Sequence, residues 1–242
     1  MAWSQISLNL INRSQDLNNT EYVIFQKNVA EDFSELAVAW RVVQNLGIGD
    51  NHPFAYPLQF YVSAGDSWGN FTPQMAAVDG QAYDMVKSTS GDVLQLSATP
   101  ASSLTEVEVR NNLQTGGISA NVFRDGKKLA TKTNISPGQK AVFEFLPRIF
   151  IGAASQIVEG QVMNSAIISQ INTELDLFGI SSADIVIADG DGNRGLPIDV
   201  EPGRRYCVSR WRGGGVRVDV SPGDDPASVE IVNGLETEAA GV

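Results

Sequence analysis

The chain has 242 residues, with 28 acidic against 17 basic side chains, a net charge of −11 and a pI near 4.5. This balance favours solubility and disfavours nonspecific attraction to nucleic acid or anionic membrane. Such a length supports one large β-sandwich or two small domains without disulfides or metals, and the single cysteine, Cys207, excludes an intramolecular disulfide and a cysteine zinc cluster.

Period-2 segments separated by turn residues dominate the chain and predict an all-β, antiparallel sandwich with one or two short helices. The first, "ISLNLIN", alternates Ile6, Leu8 and Leu10 against polar neighbours. An alternating start of this kind is not a secretory signal, and no stretch approaches the roughly 18 apolar residues of a membrane span. The expected location is cytoplasmic, or exported without a Sec signal. The sequons at Asn12, Asn18, Asn70 and Asn134 then read as chance.

"EYVIFQK" and "LAVAWRVV" continue the pattern, and "GDNHPFAYP" around His52 reads as a Pro-rich loop. "LQFYVSA" precedes "GDSWG" (65–69), which fits the nucleophile-elbow pattern around Ser67. The elbow needs a histidine after the serine, and the single histidine, His52, comes before it. A glycine-flanked turn is the better reading. "TPQMAAVDG" is a candidate short helix with Pro73 in its first turn. "DVLQLSA", "TEVEVRNN" and "ISANVFRDG" are strands, and Asp125-Gly126 is a strong hairpin signal. "SPGQ" (136–139) sets a turn before "KAVFEFLPRIFIG".

"SAIISQINTELDLFG" (165–179) spaces Ile167, Ile168, Ile171, Leu175 and Phe178 for an apolar helix face closed by Gly179, with strand as the alternative because of its β-branched content. "ADGDGNRG" offers Asp189, Asp191 and Asn193 at alternate positions, as in calcium loops. Arg194 stands where such a loop needs glycine, and Val200 where it needs its closing glutamate. It is a weak calcium candidate beside a plain turn, and no other cofactor is expected.

"RRYCVSRWRGGGVR" (204–217) gathers Arg204, Arg205, Arg210, Arg212 and Arg217 with Trp211. Read as two strands around "RGGG", it is an amphipathic hairpin in which arginine alternates with packing residues. Cys207 falls on a strand position typical of a buried, inert thiol, so a Cys207–His52 catalytic pair is not expected. Residues 221–242 carry Asp224, Asp225, Glu230, Glu236 and Glu238 and no basic residue, and read as an acidic tail after a sandwich of residues 1–220. Arginine forks match carboxylates, so hairpin and tail are expected to pair within a chain or between copies, with a solvated strand face and a contact to an external anionic ligand as the alternatives.

One internal echo links the candidate halves 1–100 and 101–220. "LNLINRSQDLNNTEYVIFQKN" and "VEVRNNLQTGGISANVFRDGK" share an alternating strand, an Asn-containing turn cluster and a second strand ending on an aromatic and a polar residue. From "ISLNLINRSQDLNNTEYVIFQKN" through "RDGKKLATKTNISPGQKAVFEFLPRIFIG" to "EGQVMNSAIISQINTEL", roughly residues 5 to 190, the chain resembles uncharacterised bacterial proteins akin to the rhizosphere-expressed Rhi protein of rhizobia. The resemblance implies a soluble bacterial protein of host- or surface-living bacteria and transfers no catalytic residue. The arginine hairpin and acidic tail lie outside it.

The expected function is non-enzymatic. It is that of a structural or surface-interaction protein that self-associates as a homo-oligomer or filament, with nucleic acid excluded by charge. The alternative is a carbohydrate- or lipid-binding module using aromatics such as Trp68, Phe71 and Trp211.

Overall fold

The computed structural model describes residues 4–14, 21–30, 37–154, 156–171, 173–189, 204–210, 216–221 and 229–232. In chain order the strands are β1 (Gln5–Asn12), β2 (Glu21–Phe25), β3 (Arg41–Val43), β4 (Asn51–Pro57), β5 (Phe60–Gly65) and β6 (Met75–Ala77). There follow β7 (Ala82–Ser88), β8 (Gly91–Leu96), β9 (Val107–Asn111), β10 (Ile118–Arg124), β11 (Lys127–Ile135), β12 (Lys140–Phe143) and β13 (Arg148–Ala154). A short helix α1 (Ser165–Gln170) precedes β14 (Thr173–Asp176), β15 (Ser182–Asp189), β16 (Arg204–Arg210), β17 (Val216–Ser221) and β18 (Val229–Val232).

These strands form four sheets, ordered β18-β17-β16-β15-β1-β4, β11-β10-β5-β6, β12-β9-β7-β8 and β14-β13-β2-β3. The fold is all-β and sandwich-like, and most pairings are antiparallel. The pairs β1–β15, β15–β16 and β7–β9 are parallel. Alternation explains the layers: Ile6, Leu8 and Leu10 of β1 and Val107 and Val109 of β9 enter one core with Trp40, Tyr56, Val62, Val122 and Ile185. Among the described residues no helix is long and apolar enough to cross a membrane.

Strands β1–β7 and β9–β15 follow one connectivity, and the eighth differs, since β8 pairs antiparallel with β7 but β16 parallel with β15. In one sheet β9 pairs parallel with β7 and antiparallel with β12; in another, β1 pairs parallel with β15 and antiparallel with β4. The orders β6-β5-β10-β11 and β14-β13-β2-β3 correspond strand for strand, so β5 completes the sheet of β10 while β13 completes that of β2. Two buried asparagines mark the correspondence. Asn12 Oδ1 accepts from Ser14 N while its Nδ2 donates to Leu46 O; Asn111 Oδ1 accepts from Leu113 N while its Nδ2 donates to Ile135 O. Gly49 N donates to Asn12 O, and Gly138 N to Asn111 O, each glycine at a positive φ near 80°.

Several local expectations need correction. "NHPFAYP" is strand β4, not a loop; it is the outer strand of its sheet, where Pro53 and Pro57 lose no ladder partner. "TPQMAAVDG" contains strand β6 in place of a helix, because Met75–Ala77 pair with Phe60–Val62. The 165–179 segment is divided: six residues of helix, then β14. Ile168 and Ile171 pack in a second core cluster, Leu175 and Leu177 enter the main core two residues apart, and Phe178 is exposed. The Asp125-Gly126 hairpin forms with Arg124 opposite Lys127 and both turn residues at positive φ.

Candidate functional site

The β5–β6 connection begins with Gly65-Asp66-Ser67-Trp68-Gly69-Asn70, and Asp66 organises it. Its Oδ1 accepts from Trp68 N and Asn70 N, both at 2.9 Å, and its Oδ2 from Asn70 Nδ2 at 2.8 Å. Asp66 N donates to Asn70 O at 2.9 Å, and Gly69, at φ +88°, completes the turn. These bonds, led by the Asn70 side chain, hold the Asp66 carboxyl below its ordinary value. The chain then returns along β5, with Thr72 N donating to Ala64 O and Ala64 N to Thr72 Oγ1.

The result is a displayed aromatic tip. Trp68 is 88% exposed and Phe71 65%, whereas Trp40 is fully buried and donates Nε1 to Arg124 O. Phe71 pairs with Gly65, and a Cβ on Gly65 would stand 2.7 Å from both Phe71 Cε1 and Ser119 Oγ. The glycine is therefore required for the ring to lie against the sheet. Phe60, Val62 and Ala64 point to the core, so Tyr61, Ser63 and Gly65 share the outer face, opposite Phe123, Asn121 and Ser119 of β10. Tyr61 is 39% exposed; Ser63, Asn121 and Thr131 are buried polar residues between the aromatics. Thr131 Oγ1 donates to Asn121 Oδ1 at 2.9 Å, and Asn121 Nδ2 has no acceptor. The 112–117 loop adjoins the tip, since a Cβ at Gly116 would come 4.0 Å from Ser67 Oγ, and Asn111 pins that loop through Gly116 O.

The residues singled out in the sequence are dispersed. Ser67 lies in this strand–strand turn and His52 in β4 of a different sheet. Burial, then the cations Arg41 and Lys127, press the His52 pKa below its ordinary 6.5, with Glu159 opposing. His52 also borders a cup of about 370 Å³ lined by Val43–Leu46 and Gly49–His52. Asp189 ends β15, while Asp191 and Asn193 lie outside the described residues. Among the described residues no three His, Cys, Asp or Glu side chains are grouped to hold a metal ion.

Arg204, Arg205, Arg210 and Cys207 are in β16 and Arg217 in β17, whose backbones pair antiparallel from Arg205 opposite Ser221 to Arg210 opposite Val216. Trp211 and Arg212 lie outside the described residues. From the acidic segment, β18 pairs with β17, with Val232 opposite Arg217 and Glu230 opposite Asp219.

Sequence reasoning missed a second charged centre. Glu108, with no exposed side-chain surface, accepts from Lys140 Nζ at 2.6 Å, Ser102 N at 2.8 Å and Arg110 Nε at 2.8 Å. Burial alone would raise this carboxyl; the bonds from Lys140, Ser102 and Arg110 overcome it and bring it down to about 2. Arg110 in turn holds Thr99 and Pro100, so the cluster clamps the β8–β9 loop. The signal was present as "EVEVR", an alternation with charge on the β9 face away from the core. Tyr61 and Phe123 were also missed, because alternation alone does not tell which face of a strand meets solvent. No protein-family model, no curated protein and no solved structure matches the chain.

Proposed function

We propose that this protein is a non-enzymatic β-sandwich that serves as a surface-interaction module and takes carbohydrate on the Trp68 loop. The observation that carries this reading is a tryptophan ring 88% exposed on a turn pinned by Asp66. Tryptophan contributes a large burial gain when packed, so a fold that displays one on a rigid turn leaves its ring face to a partner. A sugar ring offers an apolar C–H face edged by hydroxyls. Trp68 and Phe71 supply the platform, with Ser67 and Asn70 beside them for hydrogen bonds. A lipid surface fits less well, because the residues flanking Trp68 are polar and the net charge of −11 repels anionic headgroups. A hydrolase reading is disfavoured by the placement of Ser67 in the turn after β5 and of His52 in β4 of another sheet, which leaves the serine without a histidine partner.

A glycan-array screen of the full chain tests this reading, with each hit repeated on Trp68→Ala. Hits should disappear in the variant while its melting temperature holds, since the side chain faces solvent. An empty array, or hits indifferent to the substitution, would overturn the reading; Trp68-dependent binding to phosphatidylcholine vesicles alone would give the loop to lipid.

Self-association, as homo-oligomer or filament, is the second reading. It is supported by the pairing of β18, from the acidic segment, with the arginine-bearing β17. Exchange of that strand between copies would generate an assembly, closed or open according to the rotation between subunits.

A further inference from the structure

The two halves share a connectivity, but one pair of equivalent faces has diverged. On sheet β14-β13-β2-β3 the outer positions include Val23 opposite Gly152, with Phe25 opposite Phe150 two residues along. Residues 156–171 of the β13–β14 connection cover this face, burying Ile157, Met163, Ile168 and Ile171 against Val23 and Phe25. Gly152 is the notch: a Cβ there would come 2.7 Å from Ile171 Cγ1. On sheet β11-β10-β5-β6 the same register places Asn121 opposite Ser63, with Phe123 opposite Tyr61 two residues along. The equivalent connection, residues 66–74, is short and folds back on the end of β5, leaving Phe71 over Gly65.

We infer that this second face seats an extended oligosaccharide, running along β5 from Trp68 and Phe71 to Tyr61, in the place that the twin face gives to the chain's own strap. The inference rests on the carbohydrate reading of the Trp68 loop and adds ligand length and direction. From Gly65 to Tyr61 is four residues of strand, about 14 Å, a span that suits several linked sugars and exceeds one ring. Chemistry distinguishes the two seats. The strapped face is apolar at its centre, with Val23 and Gly152, and takes isoleucine. Its twin has Ser63 and Asn121 there, with Thr131 beside them and the Asn121 Nδ2 donor lacking an acceptor, between aromatic rings at either end. The exposed rings of Trp68, Phe71 and Tyr61 supply the stacking contacts, and the buried polar floor between them lacks the apolar notch that receives Ile171 in the twin, which suits a sugar chain better than an apolar peptide.

Isothermal titration calorimetry with cello-, chito- and xylo-oligosaccharides of one to six units tests this. In the unmodified protein, affinity for the bound series should rise by about tenfold or more from disaccharide to hexasaccharide, as a second platform engages the same chain. Tyr61→Ala should abolish that rise and leave disaccharide binding intact, Tyr61→Phe should keep it, and Trp68→Ala should weaken every length. Trp68-dependent binding that does not grow with length, or grows equally in Tyr61→Ala, would overturn the extended seat while sparing the Trp68 reading. If no sugar of any length binds, both fall. The length series on unmodified protein stands even if Tyr61→Ala does not fold.

Discussion

Glu108 illustrates how far single side chains govern this molecule. Its carboxylate is buried with two cations and a backbone N–H around it, and these hold its pKa near 2. A carboxyl whose folded pKa lies below its ordinary 4.5 contributes stability that is complete above that value and is lost as pH falls toward about 2. Acid titration of the Glu108→Gln variant followed by circular dichroism should therefore lack the part of the acid-induced loss that falls in this window. Glu108→Ala should cost about 2–4 kcal/mol in chemical denaturation at neutral pH, less than a fully buried pair because Lys140 and Arg110 reach solvent. Trp40 and Trp68 make the complementary point. Both sit in stretches that read as strand or turn, and nothing local separates the buried ring from the exposed one. The difference arises because Trp40 meets Phe54, Tyr56 and the Arg124 carbonyl from distant strands, whereas Trp68 occupies a turn tip.

At the level of elements, the strap over the β2–β13 face depends on close approach. Gly152 has ordinary strand geometry, so the cost of a side chain there is steric: Ile171 Cγ1 and Cγ2 occupy the space at 2.7 and 2.8 Å. Gly152→Ala should destabilise the protein by about 1–3 kcal/mol. Thermal denaturation of Gly152→Ala with Ile171→Ala should show a cost below the sum of the two, because the second change vacates the volume the first needs. Additive costs would mean that the strap yields elsewhere. The 165–179 segment was ambiguous for a related reason. Its isoleucines suit a helix packed on a sheet or a strand within one, and the two neighbours it meets in turn, the strap cluster and then β13, select one state after the other. β4 was hidden by Pro53 and Pro57, which are compatible with a strand because only one side of β4 is paired.

For the whole molecule, the largest sheet ends in β16, β17 and β18, so the arginine strands and the acidic strand are hydrogen-bonded neighbours in one chain. Deleting residues 222–242 should lower the melting temperature or shift the oligomeric state measured by light scattering. On the proposed pairing of the arginines with tail carboxylates, charge reversal at Arg210 and Arg212 should do the same, with a combined effect below the sum because partners in one network are non-additive. Exposed ion pairs contribute about 0–1 kcal/mol each, so the effect should fade with added salt. Strict additivity, or indifference to tail removal, would leave the arginines as a solvated strand face.

The amino-acid sequence by itself determined the class and most of the strands. Alternation, Asp125-Gly126 and Ser136–Gln139 are local signals, and the 2-residue period commits each segment to one buried and one outward face before any partner is present. Even the echo between residues 8–28 and 107–127 was legible, through asparagines that end β1 and β9 alike. Only the tertiary structure decided that β5 joins β10 and β13 joins β2, that Tyr61 shares a face with Phe71, and that one twin face is strapped while the other carries a short aromatic loop. Those facts depend on contacts between residues dozens of positions apart, and a strand's pattern states that a face is buried or displayed without naming what lies across it.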